Sequence, residues 1–212
     1  MSKLQLNLCI LTVVAMLGLV AGCQRAKTPP APSPKPKPSA PTTTMTRPEN
    51  PVTPEKNPPG DIPDTQAFVT YKSSSGKYSV EAPEGWARSE HGTDVTFADK
   101  FDGEMVTLSK SATIPTISTV KRDQAAVLKQ HGHAVIVQGV NTKPMPHGRA
   151  VVYVAYASNS APDPVTGKKV RLDNITYYYY HQGILAAVTL WAPSGADNVD
   201  QWKRISESFR WL

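Results

Sequence analysis

The sequence predicts an α+β domain, a mainly antiparallel sheet with helices laid upon it, in the last 149 residues of a 212-residue chain. Three observations predict it. Short Val- and Tyr-rich runs recur between turn residues. They come mostly as neighbours joined by tight turns, and only two segments carry a helical period. Adjacent hairpins with few helical crossovers favour an antiparallel sheet over a doubly wound parallel one.

Strands over 67–72 and 77–82 flank the turn Ser73-Ser-Ser-Gly76. Strands over 93–98 and 104–111 flank Lys100-Phe-Asp-Gly103, in which Asp102-Gly103 is the turn signal. The spacing then predicts a helix over 115–131, with Ile117, Val120, Val127 and Leu128 on one face and Gly132 as its stop. Residues 134–141 and 149–158 read as two more strands. A polar loop over 159–171 leads to a strand over 174–181, and Gln182-Gly183 turns the chain into another over 184–191. A final helix places Val199, Trp202, Ile205 and Phe209 on one face, with Asp197 or Asn198 as N-cap.

Upstream of the domain the composition changes twice. Residues 1–22 have the features of a lipoprotein signal peptide: Lys3, an apolar stretch over 8–20, then Val20-Ala21-Gly22-Cys23. The stretch is short for a membrane span, which needs roughly 20 residues. The last four residues resemble a bacterial lipobox, where small residues let the chain lie extended in a peptidase. Gly22 is therefore the expected signal cleavage position and Cys23 the expected lipid attachment residue. The mature chain then holds one cysteine, acylated, which excludes a disulfide, thiol catalysis and a cysteine zinc site. In a Gram-negative cell, Gln24 after Cys23 leans to the outer membrane, with the domain facing the periplasm or the cell surface.

Residues 23–63 read as the lipidated cysteine and a disordered tether, and 64–212 as the globular domain. Thirteen of the residues from 24 to 63 are proline. Proline fixes φ and lacks an N–H, so polyproline II remains, and little apolar surface is present for burial. Full extension gives a reach of roughly 120 Å at about 3.1 Å per residue. Five of its six basic residues, Arg25, Lys27, Lys35, Lys37 and Arg47, precede its first acid, Glu49.

The net charge of +6 dissolves on partition. Residues 64–212 carry 16 basic and 14 acidic side chains, so four of the six excess charges lie in the signal and the tether. Nucleic acid as a partner is excluded on this ground, since it calls for Lys and Arg clustered on the domain.

Chemistry-bearing motifs are sparse. His131-Gly132-His133 brings two imidazoles close, but metal sites need three or four convergent ligands. A histidine ending a helix beside a stop glycine is the plainer account. Asp94, Asp99, Asp102 and Glu104 crowd one hairpin without EF-hand spacing, so they read as solvated charges, with calcium the alternative. Tyr177-Tyr-Tyr-Tyr180 divides between two faces by strand period, one pair in the core and one partly exposed. Ser74-Ser-Gly-Lys77 matches S-x-x-K, but on a strand turn rather than a helix start. Asn174-Ile-Thr176 matches a glycosylation acceptor, which carries little weight in a bacterial lipoprotein. No Ser, His and acid combination and no phosphate-binding glycine loop stands out.

Tyr78-Ser-Val-Glu-Ala-Pro-Glu-Gly-Trp86 resembles the opening motif of the PsbP-like domain. Thr96-Phe97, Gly183-Ile-Leu-Ala-Ala-Val-Thr-Leu-Trp-Ala-Pro193 and Ser208-Phe209 resemble its middle strand, last strand and terminal helix. The resemblance spans about 68–211. It implies an α/β/α sandwich with a central antiparallel sheet flanked by helices. Calcium and manganese handling is associated with the photosynthetic members of that family, but residues 93–100 depart from the cyanobacterial pattern.

The resulting expectation is a lipid-anchored, non-catalytic binding or scaffolding module with no resident cofactor, attached to the membrane through its lipid and serving a protein partner or membrane complex. The alternatives are a metal- or ligand-binding accessory protein of a membrane complex, with calcium as the metal, and a surface hydrolase.

Overall fold

The computed structural model describes residues 49–146, 148 and 150–212. The signal peptide, Gly22, Cys23 and the first half of the tether lie outside the described residues. Seven strands form one antiparallel sheet in the order β3-β4-β5-β9-β8-β7-β6. They are β3 (Ala87–His91), β4 (Asp94–Asp99), β5 (Asp102–Lys110), β6 (Ile136–Lys143), β7 (Val151–Asn159), β8 (Arg171–His181) and β9 (Ile184–Pro193). The first hairpin, β1 (Phe68–Lys72) and β2 (Tyr78–Pro83), does not join it. It makes a second sheet, ordered β1-β2-β10, with the short β10 (Arg210–Trp211).

This corrects the expected sandwich. One face of the large sheet is covered by the small sheet together with α3 (Val199–Ser208), and the core between them holds Tyr78, Val80, Val106, Val188, Leu190, Ile205 and Phe209. Alternation explains the arrangement: Tyr78, Val80 and Ala82 on β2 have no exposed surface and supply a strand-period face rather than a helical one. Trp86 and Trp202 pack half-buried at the margin of this core. The other face is covered by a helical run through α1 (Ile117–Thr119), a π-helical turn at Val120–Gln124 and α2 (Ala125–His131). Val120 and Leu128 of that run meet Val140, Val154, Tyr156 and Tyr178.

The π-turn also corrects the predicted helix face. It inserts an extra residue into the turn and rotates the downstream residues about the helix axis. Ala125 is buried while Val127 is about half exposed. In α3, Trp202 and Ile205 face the sheet as expected, but Val199 is 73% exposed. Phe209 lies just beyond the helix with an extended backbone, reaching the core from there.

Two glycines act otherwise than expected. Gly103 makes no turn; the positive φ falls at Lys100, and Gly103 lies inside β5 opposite Trp191. A Cβ there would sit 1.8 Å from the indole ring. Gly132 ends the helical run with an extended φ of −88°, and a Cβ on it would collide with Val135 and the Leu128 carbonyl. Both are required by close approach rather than by left-handed backbone.

Packing starts earlier than Asp64. Glu49 accepts hydrogen bonds from Asn159 Nδ2 (2.7 Å) and Lys169 Nζ (2.8 Å), and its other oxygen lies 2.9 Å from His133 Nδ1. Val52 N donates to Asn159 Oδ1, and Glu55 pairs with Lys168. Ile62 is buried, its N–H donating to Asn198 Oδ1 and its carbonyl accepting from Gln201 Nε2. Asn198 therefore occupies the N-cap position of α3 but gives its amide to this segment instead of to the helix. The expectation that the tether as a whole buries nothing does not hold for residues 49–63. That part is also the only stretch of the tether with acids: Glu49, Glu55 and Asp61, each of which finds a partner on the domain.

Candidate functional site

The residues singled out by sequence mostly take structural duties. His131 is exposed at the end of α2, and His133 is drawn to Glu49. Ser74 and Lys77 are exposed on the hairpin turn, so the S-x-x-K pattern has no catalytic geometry. Asn174 is buried, with its Nδ2 donating to Ser158 Oγ and to main-chain carbonyls. Three of the four tyrosines are buried and Tyr180 is half-buried. Tyr177 and Tyr179 face the core under α3, Tyr178 and Tyr180 the core under the helical run.

The four acids do not converge. Asp94 Oδ1 accepts from the Leu108 N–H, and Asp99 is exposed. Asp102 and Glu104, two apart on β5, share its inward face. Glu104 has no exposed surface, neither of its oxygens has a partner, and one oxygen of Asp102 lacks one too. Burial pushes the Glu104 carboxyl well above the ordinary range. Burial, helped by the charges of Asp99 and Asp61 and opposed by Lys100, pushes Asp102 up to about 7. Calcium wants six or more oxygens. Glu104, with Phe97 and Leu190 as its neighbours across the sheet, cannot offer a solvated carboxylate to such a set. The acids do not fit calcium, and among the described residues no three His, Cys, Asp or Glu side chains group as metal ligands.

A cleft of about 570 Å³ opens where the end of β8 meets the C-terminal residues. This is within the usual range for small-ligand sites. Apolar wall comes from Ile114, Met145 and Val151, and aromatic wall from Tyr178, Tyr179 and Trp211. The aromatic side grows out of the core. Phe209 stacks on Tyr179 with centroids 4.3 Å apart, Trp211 meets Phe209 edge-on at 5.3 Å, and the exposed His181 stacks on Trp211 at 5.8 Å. Tyr179 Oη donates to the Ser206 carbonyl, and burial pushes its hydroxyl pKa upward, so it serves as a fixed phenol.

The polar side consists of Ser206, Glu207, Arg210, His181 and Gln182. Ser206 Oγ is held between Lys143 Nζ and the Lys203 carbonyl, not by a histidine, so it is no activated nucleophile. Glu207 pairs with Lys143 at 3.3 Å. Sequence reasoning named the tyrosines and Phe209 but missed Arg210, Trp211 and His181 as wall residues. The signal for them was the aromatic–basic–aromatic run Phe209-Arg210-Trp211.

No protein-family model matches the chain, and no curated protein matches it by sequence. Solved structures do. The crystal structure of a Bacteroides thetaiotaomicron protein aligns at TM-score 0.45 and 11% identity, over 70% of this chain and 49% of that one, so the chain spans about half of its length. The Ran-binding protein Mog1p of Saccharomyces cerevisiae aligns at 0.44 and 8% identity, over 69% of this chain and 96% of that one. The solution structure of cyanobacterial PsbP (CyanoP) from Synechocystis aligns at 0.50 and 17% identity, over 72% of this chain and 98% of that one. The sheet-dominated domain thus has a PsbP-like fold.

Proposed function

We propose that the protein is a lipid-anchored, non-catalytic binding module on the extracytoplasmic face of a membrane, which takes a small ligand in the cleft beside β8. The observation that carries this reading is the cleft itself: an aromatic side continuous with the core, and a serine and a glutamate engaged in holding structure rather than in activating one another. Rigid aromatic walls with a few fixed polar groups suit recognition. Cys23 would supply the membrane attachment. With residues 49–63 held to the domain, residues 24–48 would be left as the spacer, which if fully extended would reach roughly 80 Å at about 3.1 Å per residue. That length would let the domain serve a protein complex standing off the membrane.

Two measurements test the parts separately. Cys23→Ala should abolish acyl labelling of the protein, and normal labelling would remove the anchor. On soluble 24–212, the neutral fluorophore N-phenyl-1-naphthylamine should bind wild type and lose its signal in Ala150→Trp. Ala150 is exposed on the cleft wall, so the added ring fills the space without entering the core. Equal binding to both proteins would place the ligand elsewhere.

A further inference from the structure

Arg210 stands apart from the other charges among the described residues of the cleft. Its Nη1 donates to two main-chain carbonyls, of Glu207 at 2.6 Å and of Phe209 at 2.7 Å. Those bonds use one nitrogen of the guanidinium and fix the plane of the group. The Nε–H and Nη2–H donors have no partner among the described residues. These two nitrogens form the edge of the guanidinium that accepts a carboxylate, sulfonate or phosphate side-on, with two parallel hydrogen bonds. Glu207, the one acid among the described residues of the cleft wall, is already paired with Lys143. The described wall therefore carries one oriented cation without a counter-ion. The next residue is Trp211, half-buried and braced by Phe209 and His181.

From this juxtaposition, and resting on the cleft being a ligand site, we infer that the cleft selects flat, ring-bearing anions: the ring lies against the Trp211 side and the oxyanion meets the Nε–Nη2 edge of Arg210. Neighbours on a strand alternate faces, but both residues line this cleft at the chain segment β10. Their backbone is held to β2 through Arg210–Ser79 and Trp211–Tyr78 pairing, so the two wall residues are placed by a strand rather than a loop.

The probes are two fluorophores sharing one ring system, 8-anilinonaphthalene-1-sulfonate and the uncharged N-phenyl-1-naphthylamine, titrated into soluble 24–212. Wild type should bind the sulfonate about tenfold more tightly or better, as expected for a charge-assisted bidentate contact. The preference should shrink as salt rises. Arg210→Gln should remove most of the preference while leaving the neutral probe unchanged, Arg210→Lys should restore part of it, and Trp211→Ala should weaken both probes. If wild type binds the neutral probe as well as the sulfonate at low salt, the anion selectivity is wrong and the cleft remains a ligand site. If neither probe binds, the cleft reading itself fails. The wild-type comparison decides the matter even where a variant at Arg210 does not fold.

Discussion

Glu49 and Glu104 are the same side chain in opposite circumstances. Glu49, on the segment entering the domain, accepts hydrogen bonds from Asn159 and Lys169 and contacts His133, and these partners hold its pKa down to about 2. Its main partner is itself fixed, because Asn159 Oδ1 accepts from the buried Arg171. Glu104 sits inside β5 with no partner at all, and burial alone drives its pKa upward. A carboxyl is cheap to place where donors surround it and costly where none do. The first glutamate ties a segment down; the second weakens the strand pair that holds it.

The sharpest way to break this contrast is to remove the second carboxyl. Glu104→Leu keeps a similar volume and leaves no buried polar group, which should stabilise soluble 24–212 by about 2–3 kcal/mol at neutral pH. For a domain of this size that raises the thermal midpoint by roughly 4–12 °C. The same variant should flatten the pH profile. Glu104 and Asp102 keep their protons in the fold, whereas the unfolded chain releases them near pH 4. Wild-type stability should therefore fall as pH rises from about 4, continuing through about 7 for Asp102. Urea midpoints at pH 5, 7 and 8 measure both effects. A Glu104→Leu midpoint below that of wild type at pH 8 would mean that the carboxyl is held by something.

The other side of the contrast predicts a loss. Soluble 64–212 lacks Ile62 and the groups that satisfy Asn159, Asn198 and Gln201. Losing the burial of Ile62 alone costs about 1.5–3 kcal/mol. A net loss of about 1–3 kcal/mol should separate 64–212 from 49–212 in urea. Removing only 24–48 should change nothing measurable, since that half lacks both acids and large aliphatic residues apart from Met45. Equal midpoints for 64–212 and 49–212 would reduce the docked segment to decoration.

These regions also mark what the sequence could disclose. Strands with alternating or continuous apolar runs were legible: β1, β2 and β4 to β9 all lie where the pattern predicts, within a few residues. The edge strand β3, Ala-Arg-Ser-Glu-His, was not, because every side chain in it is exposed and no apolar period marks it. The two-residue β10 is set by pairing with Ser79 and Tyr78, a long-range fact invisible to local pattern. The split into two sheets escaped for the same reason. The aromatic wall of the cleft was half legible, through the tyrosine run. Its cation was not, because an Arg after a helix usually serves the helix end, and here only one of its nitrogens does so. The tether's division at Glu49 was written in its acids, but the proline content on both sides of that point concealed it.

The smallest expected effect concerns Glu49 itself. Glu49→Gln keeps the shape and can still accept from Asn159, but loses the charge that Lys169 and His133 meet. Its side chain is 28% exposed, so solvent screens part of the attraction, and a loss of about 0.5–1 kcal/mol is expected. The sign with pH is opposite to that of Glu104. A carboxyl depressed to about 2 contributes stability above its unfolded pKa near 4.5, and that contribution disappears as pH falls toward 2. Wild type and Glu49→Gln should therefore differ at pH 6 and converge near pH 2.5, measured as urea midpoints at low ionic strength. Added salt should narrow the gap at pH 6, because the pairs are partly exposed. A difference that persisted unchanged at pH 2.5 would show that the amide fails for reasons of geometry, and the ion contacts of Glu49 would carry none of the docking.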